Sequence, residues 1–421
     1  MTSSMKLDVY DIFGHMAATG QAPPEGCSLF GVGYDDAFER LRVEYFSRAF
    51  KRGATAQKFV VGPFGSGKTH FLRHLQEIAR NESCVIAEVP LTKQVDFTRS
   101  LVRYQEVATR VQPPISKRSG MRALLEACLE NVRAKIAVGG SVADAATRGW
   151  AEALAREDFA LSMYARVASR TLLALLESDE ETADAGVQWL EGSVADTAIA
   201  KRLGVTKVVS TRADLHGQQA LHSMFQLVRA AGFRGTLVCF DEAEQGLTVD
   251  RKRQERVMQI LQADSNAFDL LTGAGALVVY AITPDVERRM MDFAALQQRI
   301  MDPGPGFGFF DGFTLAPVID LTGHRDVSRD LVSIGRQLAR VYWERVAPNT
   351  DGPPAEAQRQ LDDMAREVAE NNPTAGSRRE MVKRACAWLL MHGPSEQDSP
   401  DGKDRRSLRP TEALIEREVE V

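Results

Sequence analysis

Four short apolar runs punctuate an otherwise mixed chain, and each ends in a polar or glycine-rich turn. Residues 58–61, 84–89, 235–240 and 276–282 are too short for helices and carry β-branched or aromatic side chains. That pattern predicts strands buried on both faces. A fifth run at 313–319 predicts a last strand. Between the runs the apolar spacing shifts to the helical period. Phe71, Leu72, Leu75, Ile78 and Ala79 form one stripe. Leu221, Met224, Phe225 and Val228 form a second, within a helix predicted over 213–231, and Val257, Ile260 and Leu261 a third, within 250–263. Strands alternating with helices predict an α/β protein, a three-layer core around a mostly parallel sheet.

Outside this alternation the pattern is helical or irregular. Residues 113–205 carry helical stripes such as Leu124, Leu125, Cys128 and Leu129, then Leu161, Tyr164 and Val167. Unstructured connections of that length are rare, so a helical insertion is expected, with Trp150 and Trp189 as core aromatics. From residue 326 three stripes follow: Leu331, Ile334, Leu338 and Val341; Leu361, Met364 and Val368; Met381, Ala385, Trp388 and Leu389. They predict a small helical lid. The expected organisation is an irregular N-terminal segment over 1–34, a first part of the core over 35–112, the insertion over 113–205, a second part of the core over 206–320, the lid over 321–392, and a flexible polar tail over 393–421.

Composition narrows the field. Lys plus Arg number 52 and Asp plus Glu 57, a net charge of −5. A bulk cationic coat for nucleic acid is excluded, while a local basic face stays open. The run Arg251, Lys252, Arg253 and Arg256 reads as a solvated helix face or as a DNA contact. No apolar run approaches the ~20 residues of a membrane helix. The N-terminus lacks an apolar export segment, so a cytoplasmic protein is expected. The five cysteines are scattered without zinc spacing and read as buried thiols.

The chemistry concentrates at residues 62–69. Gly62, Pro63, Phe64, Gly65, Ser66, Gly67, Lys68 and Thr69 follow a strand, open a helix together with His70, and have the spacing G-x-x-x-x-G-K-T of a phosphate-binding P-loop. Glycines let the backbone N–H groups turn inward onto phosphate oxygens, and the helix N-terminus favours the anion. Lys68 is placed to reach the β- and γ-phosphates of ATP, and Thr69 to bind Mg²⁺. The strand at 235–240 runs into Asp241 and Glu242, a Walker-B pattern: Asp241 for the metal, Glu242 to polarise the attacking water. Thr283, after the strand at 276–282, reads either as a polar sensor beside the γ-phosphate or as the start of a turn before Pro284. Arg299, ahead of Arg289, is the candidate finger toward a neighbouring subunit, against an ordinary surface arginine. Arg379, ahead of Arg378, is the candidate lid arginine. The extra strand candidate at 84–89, which in sequence lies between the P-loop helix and the Walker-B strand, together with Glu242 after Asp241, points to the additional-strand branch of P-loop ATPases.

Several segments also resemble a known family, the ATP-binding proteins of BREX bacteriophage-exclusion systems of the BrxD type. They are residues 62–72 (GPFGSGKTHFL), Gly232-Phe233-Arg234-Gly235 running into Phe240-Asp241-Glu242-Ala243-Glu244, Asp158-Phe159-Ala160-Leu161, Trp189-Leu190-Glu191-Gly192, and Gly20-Gln21-Ala22-Pro23-Pro24. The resemblance covers roughly residues 15–300. It implies an AAA+-like ATPase in a bacterial defence setting, with other defence-system proteins as partners and a link to DNA; the candidate finger at Arg299 adds the expectation of a homo-oligomer. Relatives of the origin-recognition type carry a winged-helix DNA reader after the lid; here only about thirty mostly polar residues follow Leu390, too few for such a domain. The expected function is ATP binding and hydrolysis coupled to assembly or remodelling of a DNA-associated complex. The alternative is a non-motor nucleotide switch or transcription regulator with little hydrolysis.

Overall fold

The computed structural model describes residues 8–394, apart from 93–94, 138, 243–250, 323–325, 373 and 375. Ala243 and Glu244, the side chains of 251–254, and the tail from 395 onward lie outside the described residues.

The chain opens with α1 (Val9–Thr19), a single turn α2 (Cys27–Phe30), and α3 (Asp35–Leu41), which continues as a π-turn through Ala49. The core starts with β1 (Thr55–Val61), α4 (Lys68–Asn81), β2 (Val85–Pro90) and α5 (Ser100–Arg110). The insertion contributes α6 (Met121–Ala134), α7 (Ser141–Leu154), α8 (Ser162–Glu177), α9 (Glu180–Leu190) and α10 (Thr197–Leu203). The core resumes with α11 (Ala213–Ala230), β3 (Thr236–Asp241), α12 (Arg251–Leu270), β4 (Ala276–Ile282), α13 (Pro284–Met291), α14 (Ala294–Ile300) and β5 (Val318–Asp320). Three helices finish the described chain: α15 (Val327–Val346), α16 (Ala355–Asn371) and α17 (Gly376–His392).

The five strands form one sheet in the order β2-β3-β4-β1-β5, every pair parallel. Residue alternation sends side chains to two separate cores. Phe59, Val61, Phe240, Val278, Tyr280 and Ile282 face one cluster shared with α5, α11, α12 and the insertion. Val60, Ile86, Cys239, Leu277, Val279 and Ala281 face another, built with α3, its π-turn and α4. Helices α15, α16 and α17, the expected lid, form a third core with α1, around Leu331, Leu338, Leu361, Val368, Met381 and Leu389.

Two expectations need correction. Residues 1–34 are not irregular throughout. Asp8 caps Tyr10 N at 2.8 Å, Gly20 ends the helix at φ +64°, and Ile12, Phe13 and Met16 bury one face of α1 in the lid core. Gly20, Pro23, Pro24, Gly26, Gly31 and Gly33, which make the segment read as irregular, all lie beyond that helix. The last strand is Val318–Asp320 rather than 313–319. Upstream of it the backbone serves other donors. The carbonyl of Thr314 accepts from Lys58 Nζ at 2.9 Å and from the Tyr45 hydroxyl at 3.3 Å, and that of Ala316 also accepts from Lys58. Pro317 has no N–H to offer a ladder. Lys58 itself is fully buried, and burial pushes its ammonium pKa down to about 7.

Helices α5 and α11 cross with their backbones close together. A Cβ at Gly217 would fall 2.3 Å from Leu101 Cα and 2.6 Å from Ser100 C. Helix propensity favours alanine by about 1 kcal/mol, but two backbones cannot step aside as a side chain can. Gly217→Ala is therefore expected to destabilise by about 1–3 kcal/mol net. Equilibrium denaturation checks this, and a midpoint equal to or above wild type would refute the close-crossing argument.

Candidate functional site

The strand order brings three loops to one edge. β4 lies between β1 and β3, with Val61 opposite Ile282 and Phe240 opposite Tyr280. The chain therefore leaves β1 at Gly62, β3 at Glu242 and β4 at Thr283 side by side, at the carboxyl ends where α/β sheets bind ligands.

Gly62 N–H still bonds Ile282 O at 3.1 Å, so the turn starts anchored to β4. Gly65 and Gly67 adopt φ of +81° and +96°, which the curl into α4 requires. A Cβ on Gly62 would sit 2.3 Å from Ser66 Oγ. That hydroxyl is buried with no hydrogen-bond partner. Gly67 caps α4 without a side-chain bond, so no capping side chain occupies the N-terminal end of the helix. A curled glycine turn with a buried hydroxyl lacking a partner, at a positive helix end, fits a phosphate chain.

Lys68 is 7% exposed, and its ammonium donates to Gly62 O at 2.8 Å and Pro63 O at 3.3 Å. It also lies 5.4 Å from the ring centre of Phe64, which is itself exposed. Thr69 Oγ1 donates to Asp241 Oδ2 at 2.7 Å, across 172 residues of sequence. The other oxygen of Asp241 accepts Glu242 N–H at 2.8 Å. Glu242 is exposed and holds φ +52°, a left-handed backbone that few non-glycine residues adopt. Such strain concentrates at functional positions. The hydroxyl and carboxylate are hard oxygen donors of the kind Mg²⁺ takes.

Other sequence candidates are placed as follows. Thr283 is buried at the end of β4 and caps α13 through its carbonyl, not its hydroxyl. His70 lies on the first turn of α4. Burial, with His74 beside it, pushes its pKa down to about 4 and keeps the ring neutral. Arg299 is exposed on α14 and ion-paired with Asp269 of α12, and Arg289 is exposed on α13. Arg379 donates to Thr19 O at 2.9 Å, at the end of α1, while Arg378 is held by Asp330 at 2.6 Å within the lid.

Sequence reasoning named no residue for a base. The structure has a cleft of about 430 Å³ between the N-terminal segment and the lid, lined by Gly31, Val32 and Gly33 on one side and Ser333, Gln337 and Arg340 on the other. Gly31 lies directly on α4, where an added Cβ would be 2.8 Å from His74 Nδ1. The helical pairing of α2 with α4 and α15 therefore joins the cleft to α4. The glycines of 31–33 were the available signal.

A parallel sheet with an anion cradle and a hydroxyl–carboxylate pair at its carboxyl edge defines an α/β protein equipped to hold a nucleotide. The chain belongs to the family of BREX system ATP-binding proteins, BrxC/D, whose family model matches residues 12–386. Searches of curated proteins and of solved structures returned no match.

Proposed function

We propose that this protein is a Mg²⁺-dependent P-loop ATPase of AAA+-like architecture, acting in a BREX-type defence system to assemble or remodel a DNA-associated complex. The observation that carries the reading is the 2.7 Å bond between Thr69 and Asp241, two motifs far apart in sequence. The strand that lies between the P-loop and acidic strands is β4, not the one at 84–89, which sits outside β3 at the sheet edge; the additional-strand reading is carried by β4.

In this reading residues 62–69 and the N-terminus of α4 wrap the phosphates, and Lys68 leaves the Gly62 and Pro63 carbonyls for phosphate oxygens. Thr69 and Asp241 would hold Mg²⁺, which supplies charge neutralisation on the β- and γ-phosphates when bound. Glu242 accepts a proton from water as its oxygen attacks the γ-phosphorus. The bond to the β-phosphate oxygen breaks, releasing ADP and phosphate. Thr283 orients that water or the γ-phosphate. Arg299 serves a neighbouring copy's site, and Arg379 serves from the lid. The 31–33 cleft takes the base. No described helix is long and apolar enough to cross a membrane, and the proposed setting is the cytoplasm, with other defence proteins as partners in a homo-oligomer.

The test is steady-state ATP hydrolysis, with and without DNA, at two salt concentrations because phosphate contacts are salt-sensitive. Turnover that needs Mg²⁺ and rises with DNA is expected. Binding without turnover would favour the switch alternative, and no ATP binding would sink both. Alanine at Thr283, Arg299 or Arg379 is expected to lower turnover at saturating ATP, and unchanged turnover removes that residue's role.

A further inference from the structure

One buried ion pair lies outside everything described so far. Arg103 of α5 and Asp264 of α12 are separated by 161 residues, and their side chains are 4% and 5% exposed. The guanidinium grips both carboxylate oxygens, the second at 3.3 Å, and donates to Ser100 Oγ at 3.1 Å. Asp264 belongs to the buried stripe of α12 with Val257, Leu261 and Phe268. An apolar residue there would satisfy packing alone, so stability does not explain the pair.

The pair sits at the end of an aromatic stack that leads to the site. Arg103 lies over the Phe97 ring, 5.0 Å from its centre. Phe97 meets Phe240 and Tyr280 edge-on, at 6.0 and 6.1 Å. Phe240 stacks on Tyr280 at 4.9 Å with ring planes 7° apart, and Tyr280 stacks on Phe59 at 5.5 Å. These rings come from β3, β4 and β1, and Phe240 directly precedes Asp241. Helix α12, which Asp264 belongs to, starts at Arg251, a short connection after Glu242. It packs on β1 and α14, and its Asp269 holds Arg299.

We infer that Arg103 and Asp264 form a positioning pair: they lock α12 to the aromatic stack beneath the site and so set Asp241, Glu242 and Arg299 for turnover, without contributing to nucleotide affinity. This rests on the ATPase reading above. The pair is linked through Phe97 to Phe240 of β3, the strand that ends in the acids, and through α12 to Arg299 of α14. A packed aromatic rung transmits a displacement because it does not compress. Arg is required rather than Lys, since only the planar fork can grip both oxygens and stack on Phe97.

The experiment compares wild type with Arg103→Lys and with the apolar pair Arg103→Met plus Asp264→Leu. Single removal strands a buried charge and lowers the melting temperature, whereas the apolar pair is expected to melt like wild type. Both test variants are expected to bind ATP within about two-fold of wild type and to lose roughly 10- to 100-fold in kcat, the scale of a small misplacement of catalytic groups. Wild-type kcat in the apolar pair overturns the inference. So does a parallel loss of kcat, ATP affinity and melting temperature, which is the signature of a merely structural pair. If wild type itself binds ATP but does not turn it over, the ATPase reading fails instead.

Discussion

Glu242→Gln is expected to cut ATP turnover by about 10²- to 10⁴-fold, the usual contribution of a positioned general base, while ATP stays bound. Glutamine keeps the side-chain size and the Cα geometry, so the left-handed backbone at φ +52° is no worse tolerated. It also leaves Asp241 bonded to Thr69, and the Glu242 backbone N–H bonded to Asp241. What the chemistry loses is the carboxylate charge, and with it proton acceptance. A single-turnover assay beside a nucleotide-binding measurement separates the two effects. Turnover at the wild-type rate would remove Glu242 from the chemistry. It would leave the cradle intact, since no phosphate-binding group is altered.

Lys68→Ala is expected to weaken ATP binding by roughly 10- to 100-fold, from the ~1.5–3 kcal/mol that a charge-assisted hydrogen bond contributes. In the structure the ammonium is buried and held by the Gly62 and Pro63 carbonyls. Those contacts hold the ammonium at the turn from which a phosphate chain would be met. The substitution removes no apolar packing from the sheet cores, and the melting temperature is expected to change little. Titration calorimetry with ATP reads the affinity directly. Affinity equal to wild type would mean that the turn at 62–69 does not hold the triphosphate, and the functional reading would go with it.

The two predictions act on different motifs. Lys68 comes from the turn after β1, whereas Glu242 comes from the end of β3. Their expected effects separate because one residue meets the phosphates in the ground state and the other meets water in the transition state. A variant set showing both losses at once for Glu242→Gln would point to collapse of the Thr69–Asp241 pair instead.

Much of this site was legible before the fold. Glycines at 62, 65 and 67 announce a curled turn because few other residues accept its backbone, and two of the three adopt φ above +80°. An apolar run ending in Asp241 and Glu242 announces a buried strand that surfaces at two acids. Residues 276–282 form a strand with the bounds that the apolar run suggests. The N-terminal helix was legible too and was obscured: Ile12, Phe13 and Met16 carry its stripe, but the glycines and prolines at 20–33 dominated the segment. The end at 313–319 failed for a different reason. Its apolar residues fit a strand, yet the side chains of Lys58 and Tyr45 take the Thr314 carbonyl, and that of Lys58 the Ala316 carbonyl.

By itself the amino-acid order determined the local chemistry: which turn can curl around an anion, which strands end in acids, which segments are helical, and that no bulk positive charge coats the chain. These follow from short-range sterics, apolar periodicity and charge, all of which act within a few residues. Only the tertiary structure decided that β4 separates β1 from β3, that Thr69 meets Asp241, that α1 closes the lid core, and that Arg103 finds Asp264. Those pairings join residues tens to hundreds of positions apart. They are selected by how whole faces of helices and sheet bury each other, a competition that no local window of sequence contains.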